Sequence, residues 1–357
     1  MKLRLLIAFI LAFVFGALIA AGTLHPAKTA TANPPADATK PADADAPDDS
    51  SDQHPVAWPA SVGSPEQVLY AQAQRLNDAL AKLAPRSEGK TNLYLVLFAG
   101  DGEENVFRNE VEYVETLFTK RFAAAGHVLS LINNPATLDR RPIASLSNLE
   151  IAIDALGKKM NPQQDVLMVF ITTHGSREHE LYVSLDPLPL DQIEPEDLAA
   201  LFSDSPIKHR VFVISACYAG GFIDALKNDD TMVIAAARKD RASFGCGTQS
   251  EITDFGRAFF VEALNHTASF PQAFAEARKL IDAWETRDGE EHSFPQMSST
   301  PKIEASLKAW SDGIKLGAPV PFATPPQNQH RPAPDNHNPQ VVALMHPRSS
   351  ISHEASN

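Results

Sequence analysis

Two apolar runs constrain this chain more than any other feature. Asp165-Val-Leu-Met-Val-Phe-Ile-Thr-Thr-His174-Gly175 and Arg210-Val-Phe-Val-Ile-Ser-Ala-Cys217-Tyr-Ala-Gly-Gly221 are continuous, rich in β-branched residues and without helical spacing. That pattern predicts strands buried on both faces of a parallel sheet, where neither side calls for polar residues. In an open α/β sheet the carboxyl ends of neighbouring strands meet at one rim, where ligands bind. An imidazole and a thiol then arrive at the same rim although 43 residues separate them in sequence. A cysteine with a histidine in reach is the layout of a nucleophile and its general base.

The rest of the pattern alternates. Ser64-Pro65 opens a helix, with Leu69, Leu76, Leu80 and Leu83 expected on its inner side. Leu93 to Phe98 and His127 to Ile132 read as strands. Between them a helix from Arg108 to Ala124 carries Val111, Val114, Phe118 and Phe122 at helical spacing. Ser147-Asn-Leu-Glu150 reads as a capping box for a helix ending near Lys159. A hairpin over Leu181 to Leu185, a helix from Pro195 to Phe202 and a strand from Thr231 to Ala237 follow. Two helices, Asp254 to Leu264 and Pro271 to Trp284, complete the series. Strands alternating with helices imply a mostly parallel α/β sheet.

The residues around the two strand ends are similar to a known family. His174-Gly175, and Ser215-Ala-Cys217-Tyr-Ala-Gly220, resemble the His-Gly and Ala-Cys-x-Ser/Ala-Gly blocks of the legumain-like cysteine peptidases. That family holds asparaginyl endopeptidases and the catalytic subunit of the glycolipid-anchor transamidase. Ala99-Gly-Asp-Gly-Glu-Glu-Asn-Val-Phe-Arg108 resembles its first strand-to-helix loop. Ala236-Ala-Arg-Lys-Asp-Arg-Ala-Ser243-Phe with Ile252-Thr-Asp254-Phe resembles its substrate loop. The resemblance runs from Leu93 to Ala263 and implies a caspase-like three-layer sandwich, a mostly parallel sheet with helices on both faces. It implies peptide-bond cleavage through an acyl-thioester, with Cys217 as nucleophile, His174 as base and the N–H groups of Gly175 and Cys217 as oxyanion donors. Arg108, Asp254, Ser215 and Ser243 are the substrate-binding residues it suggests. A guanidinium facing a carboxylate reads an asparagine side chain, which needs a donor and an acceptor. Ser215 stands where asparagine-specific members have glutamate, and Asn109 where they have histidine. The position of the family's His-orienting asparagine is Val106, with Asn105 one residue out of step, so a Cys-His dyad is expected. The same acyl-enzyme resolved by an amine gives transamidation instead of hydrolysis, and a fold that keeps no activity gives a binding module.

Composition narrows the remainder. A net charge of −13 in 357 residues excludes a phosphate-neutralising surface, so no nucleic-acid partner is expected. Lys2 and Arg4 before the uncharged run Leu5 to Leu24 form an export signal. Residues 1–24 read either as a cleaved signal or as an inner-membrane anchor. The anchor is favoured by the Pro/Ala/Asp-rich stretch that follows, with the catalytic domain on the periplasmic side. Residues 25–63 read as a disordered linker, 64–310 as the peptidase domain and 311–357 as a disordered tail. Cys217 and Cys246 are the only cysteines. A nucleophilic Cys217 must be free, so Cys246 is expected unpaired, without a catalytic role and replaceable by serine. No metal or cofactor is expected. His174 and His179 lack a third ligand at metal spacing, and His330, His337, His346 and His353 lack ligand spacing. Gly100-Asp101-Gly102 lacks the other glycines of a dinucleotide fingerprint. Asn265-His266-Thr267 is a glycosylation triplet.

Overall fold

The computed structural model describes residues 58–323 apart from Thr248. The Leu5–Leu24 run, most of the 25–63 linker and the end of the tail lie outside the described residues. Among the described residues no helix is long and apolar enough to cross a membrane.

Six strands form one sheet: β1 Leu93–Ala99, β2 Val128–Ile132, β3 Val166–Thr172, β4 His209–Ser215, β5 Thr231–Ala235 and β6 Gln296–Ser298. Their order is β2-β1-β3-β4-β5-β6. The first five are parallel and β6 is antiparallel at the edge. The helices are α1 Pro65–Tyr70, α2 Gln72–Ala81, α3 Asn105–Lys120, α4 Leu146–Lys159, α5 Pro195–Ala200, α6 Phe222–Leu226, α7 Asp254–Gly256, α8 Phe270–Asp288 and α9 Pro301–Asp312. A π-helix, Arg257–Leu264, continues α7.

The continuous apolar strands have a simple cause: each serves two cores. Leu93, Leu95 and Leu97 of β1 pack with α3, the π-helix, α8 and α9, whereas Tyr94, Val96 and Phe98 pack with α2, α4, α5 and α6. β3 divides likewise, Met168 and Phe170 to the first core, Leu167, Val169 and Ile171 to the second. Period-two alternation thus survives in where side chains point while vanishing from the sequence, because both faces are covered. The result is the expected three-layer α/β sandwich.

Several local expectations change. The first helix breaks at Ala71 into α1 and α2, and Leu69 is 44% exposed while Val68 is buried in its place. Ser64 does cap α1, in a capping box with Gln67. α4 is capped by Ser145, which accepts from Asn148 N, two residues before the expected Ser147. α3 begins at Asn105 instead of Arg108, and β5 stops at Ala235. The expected 181–185 hairpin is replaced by isolated bridges of Leu181 to Gly175 and Ile193, and of Ser184 to Asp101. The chain stays packed past the boundary expected at 310. Tyr113 Oη donates to Val320 O at 2.9 Å, and Asn265 holds both backbone groups of Val320. Asn265 is therefore buried, and its amide is not available as a glycosylation acceptor.

Candidate active site

β3 and β4 pair with Thr172 opposite Ser215, so His174 and Cys217 each stand two residues beyond a matched pair at the same rim. Thr172 and Ser215 turn to the α3 side of the sheet, where both lie near Glu110. His174 continues to that side, its ring edge-on to Phe107 of α3 at 5.0 Å. Leaving β4, Tyr218 takes a left-handed φ of 57°, and a 3-10 turn over Ala219–Gly221 leads into α6. The two loops touch at Gly175, where any Cβ would run into the carbonyl oxygen of Cys217. Among the described residues, neither the Gly175 nor the Cys217 backbone N–H has an acceptor within the protein.

Cys217 and Cys246 are both free thiols. Ser243 N donates to Cys217 Sγ at 3.3 Å, and Ser243 O lies 3.4 Å from it. The Cys217 thiol is pulled down to about 6, first by the hydrogen bond of the Cys246 thiol, then by the Ser243 backbone and hydroxyl and the His174 charge, all against burial. Cys246 is driven the opposite way, chiefly because its proton is held by Cys217. The cysteine expected to be unpaired and without a catalytic role is therefore the neighbour of Cys217. The resemblance placed it near the substrate loop, and the fold of the segment before α7 brings it on to Cys217.

The histidine has a partner that the sequence did not reveal. Glu104 Oε2 lies 2.8 Å from His174 Nε2, with Asp101 Oδ2 at 3.9 Å. Val106 is buried in the core and Asn105 accepts from Asn134 Nδ2, so neither takes the orienting position. Burial works against the charged ring, but the hydrogen bond and charge of Glu104, with the charges of Asp101 and Cys217, outweigh it and raise His174 above its ordinary value. Asp101 is pushed up to about 6, mainly by burial.

The four expected substrate residues fare differently. Ser243 is brought to Cys217, as described. Ser215 is only 2% exposed, its hydroxyl 3.0 Å from Thr253 Oγ1, so it ties elements together inside the protein and presents nothing to a ligand. Arg108 is 4% exposed, with Nη2 on Asn109 Oδ1 at 2.9 Å and Nη1 on Asn134 Oδ1 at 3.4 Å. Its partners are neutral amides, and burial lowers its pKa. Asp254 is raised by burial, and the charges that act on it are Asp288, Arg257, Arg287 and Glu290. Among the described residues no hydrogen bond or ion pair joins Arg108 to Asp254. Asn109 instead donates to Glu251 O at 3.1 Å.

Glu110 was also missed. Fully buried, it accepts from Thr172 Oγ1 and Thr253 N, both at 3.3 Å, and joins β3 to the segment before α7. Burial pushes it up to about 7. Among the described residues no group of three or more His, Cys, Asp or Glu is placed to hold a metal. His179 instead packs its ring against Gly221.

Comparison with known proteins finds a similar solved structure and a matching family model. The solved structures similar to it include caspase-1 from Spodoptera frugiperda, 14% identical over 61% of this chain and 93% of that one, with a TM-score of 0.43. No curated protein sequence matches. The family model described as the Peptidase C13 family matches residues 150–304, a span that holds β3, β4, His174 and Cys217. Over that span the chain is similar to the legumain-like cysteine peptidases.

Proposed function

We propose that the protein is an endopeptidase in which Cys217 is the nucleophile and His174 the general base. The carrying observation is the register of β3 on β4, by which both strands end at one rim, beside two backbone N–H groups that have no acceptor among the described residues. The Cys217 thiolate attacks the scissile carbonyl, the oxyanion is held by the N–H groups of Gly175 and Cys217, and His174 gives its proton to the leaving amine. Water then hydrolyses the thioester. Labelling by a thiol-reactive peptide probe tests the reading: wild type reacts, and the Cys217→Ala protein does not. Equal labelling of the two would sink it.

Cys246 tunes this nucleophile. Its thiol stabilises the Cys217 thiolate, so Cys246→Ala raises the Cys217 pKa and moves the acid limb of kcat/KM from about 6 to higher pH. The sign follows from the active form being the thiolate: weaker stabilisation of the anion leaves less of it at any given pH. Cys246→Ser keeps a donor and moves the limb less. A limb that stays in place in Cys246→Ala would remove Cys246 from this role.

For the substrate, Arg108 offers a buried guanidinium that bonds no carboxylate among the described residues and is joined through Asn134 to Asn105, the neighbour of Glu104. Such a group suits a ligand carboxylate or carboxamide oxygen, which favours Asp or Asn before the scissile bond. Arg108→Ala is expected to lower the Asp-to-Leu rate ratio about tenfold to a hundredfold, more than an exposed ion pair contributes. Peptide-library kinetics measure it, and an unchanged ratio in a folded variant leaves Arg108 outside the pocket.

A further inference from the structure

We propose that Glu104 is the third member of the site, a positioning residue that fixes the His174 ring and holds it in the charged form that partners the Cys217 thiolate, with Asp101 as a second carboxylate on the same ring edge. This deepens the reading of Cys217 and His174 given above and rests on it.

Three observations lead here. Glu104 stands at the N-cap position of α3, with extended backbone angles, yet its side chain makes no capping bond to its own helix. A carboxylate at a helix N-terminus is favourably placed to take those free N–H groups, so turning it away gives up local stability for another contact. That contact is His174 Nε2 at 2.8 Å, made by a carboxylate whose side chain is 9% exposed. A buried charge needs a partner, and the imidazolium supplies it. Third, the ring already packs against Phe107 in a T-shaped pair, the two planes at 84°. With Nε2 taken by Glu104, Nδ1 is left to exchange a proton with the thiol. The arrangement is the base-and-orienter pair of acyl-transfer sites, reached here with a glutamate from the loop before α3.

The charged groups that act on His174 come from two segments: Asp101 and Glu104 before α3, and Cys217 after β4. Only the first two are carboxylates, and only Glu104 is bonded to the ring. Glu104→Gln keeps size and hydrogen bonding and removes the charge, so the imidazolium loses its stabiliser. His174 then gives up its proton at lower pH, and the alkaline limb of kcat/KM moves toward acid.

The test has two readouts. In the Cys217→Ala protein, where nothing depends on turnover, the His174 titration is followed by NMR of 13C-labelled histidine, assigned with His174→Ala. Adding Glu104→Gln is expected to lower it by about one pH unit or more. In the active enzyme Glu104→Gln is expected to shift the alkaline limb by the same amount and lower kcat roughly a hundredfold, with KM little changed. A His174 titration that does not move overturns the proposal, as does a fall in kcat with the limb in place, because a merely structural role gives that result. If Glu104→Gln does not fold, Glu104→Asp decides. The retained charge keeps His174 titrating high while the shorter reach lowers kcat, and wild-type kcat with an unmoved profile overturns the proposal. Peptide cleavage that survives Cys217→Ala would instead overturn the underlying nucleophile, while the NMR titration still decides the Glu104–His174 coupling on its own.

Discussion

Alanine at position 217 is expected to lower kcat/KM for a fluorogenic peptide by about a million-fold, the cost of removing the nucleophile in an acyl-transfer enzyme. At 1.36 kcal/mol per factor of ten this is on the order of 8 kcal/mol of transition-state stabilisation. The loss is confined to chemistry, because Cys217 is only part-buried and the change removes a single sulfur atom. The destabilisation is about 1 kcal/mol, within a few degrees of melting temperature. His174→Ala is expected to cost nearly as much, and the double variant hardly more than either single one, since nucleophile and base act as a unit. Calorimetry beside the kinetics separates the cases. Activity near wild type in a folded Cys217→Ala protein would end the reading of Cys217 as nucleophile.

Gly175→Ala is expected to be the most damaging change that leaves both reacting side chains in place. The new Cβ meets the Cys217 carbonyl oxygen, with Cys217 C at 3.2 Å and Ala216 Cβ at 3.3 Å. None of these is the far end of a flexible side chain. The His174 loop and the Cys217 turn must separate, and the two N–H groups that flank the contact lose their common aim. Loss of one oxyanion donor typically lowers kcat about a hundredfold to a thousandfold, roughly 3–4 kcal/mol. Overpacking adds about 1–3 kcal/mol of lost stability. Alkylation of Cys217 by iodoacetamide, which needs the thiolate and no oxyanion site, is expected to change far less than kcat. Wild-type kcat in Gly175→Ala would take Gly175 out of the oxyanion site, and an equal fall in alkylation would assign the damage to the nucleophile instead.

What could be read in the sequence was whatever depends on short stretches of chain. The strands ending in His174 and Cys217 were legible because two-sided burial leaves an unbroken apolar run, and a parallel neighbour then fixes which end of the sheet each reaches. Gly175 was legible for a similar reason, since the absence of a side chain beside His174 points to close approach. Ser64 at the start of α1 followed from capping chemistry confined to four residues.

The remainder depended on distance in sequence. Glu104 is 70 residues from His174, and nothing local says that an N-cap glutamate will turn from its own helix to a ring on another strand. Cys246 reaches the rim only because the segment before α7 folds back over Ser243, and Ser215 faces Thr253, 38 residues away, instead of a ligand. β6 and α9 went unread because a three-residue edge strand carries too little pattern, and α9 gains its stability by laying Ile303, Leu307 and Trp310 on a core that other elements build. The sequence alone determined the five parallel strands and the placing of His174 and Cys217 at two of their ends, because periodicity and strand-end chemistry are local. The tertiary structure decided which carboxylates, thiols and hydroxyls surround them, because a side chain's partner is set by the packing of elements distant in sequence, and packing, unlike propensity, has no local signature.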